Sequence, residues 1–139
     1  DTTITLLEKI ILKELNLFFE KFKSHNSVLF DNWPKEKNLN GWFVRMVQNG
    51  HQTSHIHPTG WVSGVLYLKT VKSPSEDEGA IEFSLQGYDY PIIRDDYPRR
   101  LHQPIDGEIV LFPSSLFHRT IPVIKDVERS VIAFDLQPG

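Results

Sequence analysis

His55-Ile56-His57-Pro58-Thr59-Gly60-Trp61-Val62-Ser63-Gly64-Val65-Leu66-Tyr67-Leu68 is the stretch on which the reading of this chain turns. Gly50, Thr53, Pro58 and Gly60 disfavour a helix around the two histidines, so that segment is read as extended. In an extended chain, positions two apart point to one face, and His55 and His57 can converge on one ion. Trp61 to Leu68 then reads as a strand, rich in β-branched and aromatic residues. Within it Ser63 and Tyr67 share parity and face the same side.

Strand-like runs recur outward from this stretch. Trp42-Phe43-Val44-Arg45-Met46-Val47, Ala80-Ile81-Glu82-Phe83, Glu108-Ile109-Val110-Leu111-Phe112 and Ser130-Val131-Ile132-Ala133-Phe134 are all short and β-branched or aromatic. Turn signals separate them, among them Gln48-Asn49-Gly50, Asp77-Glu78-Gly79 and Ile105-Asp106-Gly107. The first stretch is different. From Thr5 to Phe22, Leu7, Ile10, Ile11, Leu15, Phe18 and Phe22 recur at helical spacing. Thr5 and Glu8 fit a capping box, and Ser24-His25-Asn26-Ser27 is the expected stop. Leu6, Leu12, Leu17 and Phe19 widen the apolar stripe, so this helix is either sandwiched in its own domain or shared with a partner. One helix followed by many short strands predicts a mainly β protein, an antiparallel sandwich or barrel with a helical buttress.

Composition narrows the function. At 139 residues, with 40% hydrophobic and 24% charged residues, the chain suits one folded domain and not a disordered or coiled-coil protein. A net charge of -3 gives none of the basic excess of a nucleic-acid binder, so no nucleic-acid partner is expected. There is no cysteine, which excludes thiol nucleophiles, disulfide scaffolds and Cys-ligated metals. Any metal must be held by His, Asp or Glu. The helix carries Glu8, Lys9, Lys13, Glu14, Glu20 and Lys21, too many charges to cross a membrane. The chain opens at Asp1 without a charged-then-apolar leader; we read it as a cytoplasmic, excised or processed piece that follows a further domain.

Of the six histidines, His25, His51 and His102 are read as surface or capping residues. His118 follows the strand Glu108 to Phe112, which can bring it back beside His55 and His57. Three ligands on one face leave open positions for substrate and oxygen, an arrangement that suits non-haem iron. Arg129 opens the next strand, where a fixed guanidinium either grips a carboxylate bidentately or forms a surface ion pair. Tyr67 is read as a donor to a ligand or to a backbone carbonyl. Trp42, Trp61 and the phenylalanines are read as core and not as a substrate platform.

Three ordered motifs carry a resemblance. His55 to Leu68, Pro104-Ile105-Asp106-Gly107-Glu108-Ile109-Val110-Leu111-Phe112-Pro113-Ser114-Ser115-Leu116-Phe117-His118, and Glu128-Arg129-Ser130-Val131-Ile132-Ala133-Phe134 resemble the motifs of the 2-oxoglutarate- and Fe(II)-dependent oxygenases. The small bacterial and phage branch with a His-x-His-Pro…Ser-Gly-Val-x-Tyr signature is the nearest in pattern. The resemblance spans about Trp42 to Phe134 and implies a double-stranded β-helix, a cupin-like jelly roll with the N-terminal helix outside the major sheet. It implies one domain over 1–139, with 1–24 as buttress and 42–136 as core.

The same resemblance implies roles. His55, His57 and His118 would hold Fe(II); 2-oxoglutarate would chelate the ion and pair its far carboxylate with Arg129, with Tyr67 and Ser63 as further cosubstrate-binding residues. Dioxygen would be the oxidant, and a small-molecule or peptide-like substrate would be hydroxylated. A homodimer and an upstream helical-repeat domain are the expected partners. One departure stands out: the wider superfamily has His-x-Asp or His-x-Glu where His57 stands here. Either all three histidines bind, or one of the first two binds while a water or an outside carboxylate fills the site. Returning a carboxylate to position 57 is expected to tighten Fe(II). Two other readings stay open on the residues alone, a three-histidine cupin-type dioxygenase without 2-oxoglutarate and a non-catalytic metal-binding jelly roll.

Overall fold

The computed structural model describes residues 1–139. Eight strands follow two helices: β1 (Lys37–Met46), β2 (Gln52–His55), β3 (Val62–Lys69), β4 (Ile81–Ser84), β5 (Arg100–His102), β6 (Ile109–Pro113), β7 (Phe117–Thr120) and β8 (Arg129–Pro138). They form two antiparallel four-stranded sheets, in the orders β1-β8-β3-β6 and β2-β7-β4-β5. Every connection crosses between the sheets except that from β4 to β5, and this winding is the expected jelly roll.

Three strands escape the sequence reading: β2, β5 and β7. Each has four residues or fewer and lacks a clean apolar alternation. Their ladders hold them instead, with β7 pairing both β2 and β4. Two strands of the first sheet run longer than hydrophobicity suggests, because β1 and β8 pair continuously from Lys37↔Pro138 to Met46↔Arg129.

Helix α1 covers Thr2–Phe22, starting earlier than the capping-box reading. Asp1 takes the cap, its side chain accepting from the Thr3 N–H at 2.9 Å, while the Thr5 hydroxyl donates to the Asp1 carbonyl. A carboxylate at this position satisfies an orphan amide and favours the positive end of the helix dipole. Ser27 caps a short helix α2 (Val28–Asp31), which the sequence reading missed. Phe18, Phe19 and Phe22 of α1 close on Phe30 and Trp33, and Trp61 Nε1 donates to the Leu29 carbonyl at 2.9 Å.

Alternation along β3 and β8 divides labour between the two faces of the first sheet. On the outer face, Ile11 and Leu15 of α1 bury against Val62, Phe134 and Leu136. Each such side chain contributes about 1.5–3 kcal/mol relative to exposure. The Phe134 ring lies over Gly64, where a Cβ would come within 2.2 Å of it. Ile4, Leu6, Ile10 and Leu17 are exposed, so the wide apolar stripe is only partly used by the sheet. No helix is long and apolar enough to cross a membrane. The inner face of the same strands carries Ser63, Tyr67, Arg129 and Asp135, all buried.

Candidate metal centre

Strand ladders bring the three histidines together. His55 ends β2 directly opposite His118 on β7. His57 lies two residues further, fixed by its backbone: its N–H donates to the Ser114 carbonyl at 2.9 Å, and its carbonyl accepts from Gly60 at 3.0 Å. The ring centroids are 4.3 Å apart for His55 and His118, 5.0 Å for His57 and His118, and 5.2 Å for His55 and His57. One ligand nitrogen from each lies within 4.8 Å of the others.

The other nitrogens decide the tautomers. His55 Nδ1 lies 2.6 Å from the Thr53 carbonyl, His118 Nδ1 3.0 Å from the Leu116 carbonyl, and His57 Nδ1 2.7 Å from Asp135 Oδ1. These oxygens only accept, so each Nδ1 carries a proton and Nε2 is the nitrogen left to face an ion. Burial, reinforced by the neighbouring imidazoles against the Leu116 hydrogen bond, holds His118 down at about 4. It is therefore neutral at neutral pH, the form that ligates. His118 together with His55 and His57, each ring pinned through its Nδ1, fits a divalent transition-metal ion.

The same cavity ends in a cation. His55, His57 and His118 line it with Trp42, Tyr67 and Arg129. Arg129 is 3% exposed; its Nη1 donates to Met46 Sδ at 3.6 Å, and its guanidinium carbon lies 5.3 Å from the Tyr67 ring centroid. Arg129 Nε and Tyr67 Oη have no hydrogen-bond partner within the protein. Burial lowers the Arg129 pKa and raises that of the Tyr67 hydroxyl to about 12, so Tyr67 remains a donor. A desolvated cation beside an unanswered hydroxyl is costly in a folded chain, and a carboxylate ligand would satisfy both. The residues fit the far carboxylate of a dicarboxylic acid.

The remaining expected residues take varied places. Ser63 faces inward as its parity with Tyr67 requires, but its hydroxyl is engaged behind His57, donating to Asp135 Oδ1 at 2.6 Å and lying 2.8 Å from Ser114 Oγ. Trp61 is core. Trp42 departs from the core reading: it is 37% exposed, lines the cavity, and its ring centroid lies 5.7 Å from that of His57. It faces the mouth because β1 is an edge strand there. His25 and His51 bond only local carbonyls, and His102 pairs with Glu108 at 2.9 Å.

Two residues escaped the sequence reading. Asp135 stands on the inward row of β8 with Arg129, Val131 and Ala133, and this alternation from Arg129 onward was the available signal. Glu78 is fully buried and accepts from the N–H groups of Ser75, Ile124 and Lys125 at 3.1, 2.7 and 2.9 Å. It ties the β3–β4 loop to the β7–β8 loop beside Arg129. Tyr88, in the β4–β5 loop, places its hydroxyl 3.2 Å from the Ile56 N–H and 3.3 Å from the Ile56 carbonyl, on the histidine side.

Residues 40–135 match the family model described as "Putative 2OG-Fe(II) oxygenase". Among solved structures, a Pseudomonas putida prolyl-4-hydroxylase is 19% identical with a TM-score of 0.57, over 73% of this chain and 54% of that one. A 2OG-Fe(II) oxygenase family oxidoreductase from Burkholderia pseudomallei is 17% identical with a TM-score of 0.58, over 78% and 48% of the two chains. HygX from Streptomyces hygroscopicus, solved with nickel, 2-oxoglutarate and hygromycin B bound, is 17% identical with a TM-score of 0.52, over 86% and 64%. These likenesses concern the fold, and the chain spans between about half and two thirds of those structures' lengths. No curated protein sequence matches it significantly.

Proposed function

Since the chain belongs to the 2OG-Fe(II) oxygenase family, we propose that it is a non-haem Fe(II)- and 2-oxoglutarate-dependent dioxygenase that hydroxylates a small-molecule or peptide-like substrate. One observation carries this reading: three convergent imidazoles share a cavity with a buried guanidinium that no carboxylate of the chain answers. Bound iron, with 2-oxoglutarate and dioxygen, supplies the oxidation, in which one oxygen atom goes to the substrate as hydroxyl and the other to succinate as carbon dioxide leaves.

The chain's own residues do the rest. His55, His57 and His118 would hold the ion, and the hydrogen bonds that their Nδ1–H groups donate to the Thr53 carbonyl, Asp135 and the Leu116 carbonyl keep the rings from turning. Arg129 grips the far carboxylate of 2-oxoglutarate, and Tyr67 Oη donates to it. Ile81, Phe112, Val131 and Ala133 line the cavity between and exclude water. Trp42 and the β4–β5 loop, with Tyr88, Tyr90 and Arg99, border the approach and suit a polar substrate. We read 1–139 as one oxygenase domain of a cytoplasmic enzyme.

The test is direct. Purified protein should bind Mn(II), an inert stand-in for Fe(II), and then 2-oxoglutarate; with Fe(II) it should release succinate slowly even without substrate. His55→Ala and His118→Ala should each lose most of the metal while remaining folded. Metal content unchanged in both variants, or no binding and no turnover of 2-oxoglutarate by the loaded protein, would refute the reading. Metal binding without any response to 2-oxoglutarate would favour the three-histidine dioxygenase.

A further inference from the structure

A ligand set of three imidazoles brings no negative charge to a divalent ion, yet a buried carboxylate stands directly behind one of them. Asp135 is 5% exposed and its Oδ1 takes both the His57 Nδ1 proton, at 2.7 Å, and the Ser63 hydroxyl, at 2.6 Å. Its only ion-pair partner is His57. Ser63 in turn meets Ser114, and both serines are almost fully buried. The turn after His57 is shaped around this group: a Cβ at Gly60 would lie 2.5 Å from Ser114 Oγ and 3.3 Å from Asp135 Cγ.

Sheet stability alone does not explain an acid here. Asp135 faces Ser63 across the β3–β8 ladder, where an apolar pair would pack without desolvating a charge. A carboxylate that receives the proton of a ligating imidazole, by contrast, fixes the ring's orientation and raises its basicity toward the ion. We propose that Asp135 is the carboxylate of this metal centre, moved one bond network away from the ion and acting through His57 as a positioning residue. The proposal rests on reading His57 as a ligand. It also changes what position 57 tolerates. An aspartate substituted there would face Asp135 at close range, and the two like charges would oppose each other. The substitution that sequence alone expects to tighten iron should therefore fail unless Asp135 is neutralised with it.

Four proteins test this: wild type, Asp135→Asn, His57→Asp and the double variant His57→Asp/Asp135→Asn. The readouts are Mn(II) affinity by calorimetry, the visible spectrum of the Co(II) form, and the melting temperature of the metal-free protein. Asp135→Asn should weaken Mn(II) about 10- to 100-fold and shift the Co(II) bands, with little change in metal-free melting. His57→Asp should bind more weakly than wild type, and the double variant should recover at least wild-type affinity. A merely structural Asp135 would lower the melting temperature and leave affinity and spectrum alone. Equal affinity in Asp135→Asn, or additive losses in the double variant, would overturn the proposal. If Asp135→Asn does not fold, His57→Asp alone still decides it, since Mn(II) affinity at or above wild type in that variant would overturn the proposal. Retention of metal by His57→Ala would remove His57 from the site and the proposal with it, while losses in His55→Ala and His118→Ala would leave the oxygenase reading intact.

Discussion

Replacing Arg129 by Met should make the metal-free protein more stable and the enzyme inactive. The guanidinium is buried, lacks a carboxylate, and leaves its own Nε and the Tyr67 hydroxyl without partners. Removing a buried charge in favour of an apolar side chain of similar length yields about 1–4 kcal/mol. The lost contact between the guanidinium and the Tyr67 ring takes back about 0.5–2 kcal/mol. At the middle of these ranges the net gain is about 1 kcal/mol, or about 3–4 °C in Tm for a chain of this size. Binding moves the other way. Losing a desolvated guanidinium–carboxylate pair costs about 2–4 kcal/mol, or about 30- to 1000-fold in 2-oxoglutarate affinity. Calorimetric melts with Mn(II) and graded 2-oxoglutarate read both effects at once. At a ligand concentration about 100-fold above Kd the wild type gains about 2.7 kcal/mol; a variant whose Kd has risen about 100-fold gains only about 0.4 kcal/mol. Arg129→Lys should recover part of the response, since the ammonium keeps the charge and loses the planar fork. Metal content should not change. An Arg129→Met protein that melts below wild type and still responds fully to 2-oxoglutarate would refute the assignment.

Further predictions concern the scaffold. Although burial pushes the Glu78 carboxyl up, the N–H groups of Lys125, Ser75 and Ile124 and the Lys125 ammonium bring it down to about 2, against an ordinary 4.5. A depressed acid contributes stability that is complete above about pH 4.5 and fades as the pH falls toward 2, so acid melts of wild type should be steeper across that window than those of Glu78→Gln, and equal slopes would contradict the tie. Gly64→Ala would place a methyl 2.2 Å from Phe134 Cζ and 2.8 Å from Leu111 Cδ2; a loss of about 1–3 kcal/mol by denaturant titration is expected, and an unchanged midpoint would mean that Phe134 can move aside.

The legible parts of the chain were those whose signal lies within a few residues. His55 and His57 declare a shared face by their spacing, and β3, β6 and the centre of β8 declare themselves by apolar content. β2, β5 and β7 do not, because distant ladders define them and the local sequence is polar or short. The same holds for Asp135. Reading the last strand as ending at Phe134 left the acid outside it, whereas pairing with β1 carries the strand on to Pro138 and turns Asp135 inward. Trp42 was legible in parity but not in exposure, since which edge of a barrel stays open depends on how the sheets close. Glu78 answers backbone amides that lie more than forty residues away, and no pattern around it announces them.

The position of β8 has a consequence for how the protein is made. This strand lies between β1 and β3, and β1 pairs with nothing else. It is also the last of the eight to leave the ribosome, so the first sheet can close only after the rest of the barrel has been synthesised. Arg129 and Asp135 on its inner face and Phe134 and Leu136 on its outer face arrive together. Docking of the helix and completion of the cavity thus become one late event. A nascent chain with all three histidines already in hand still lacks the cation and the carboxylate that complete the cavity.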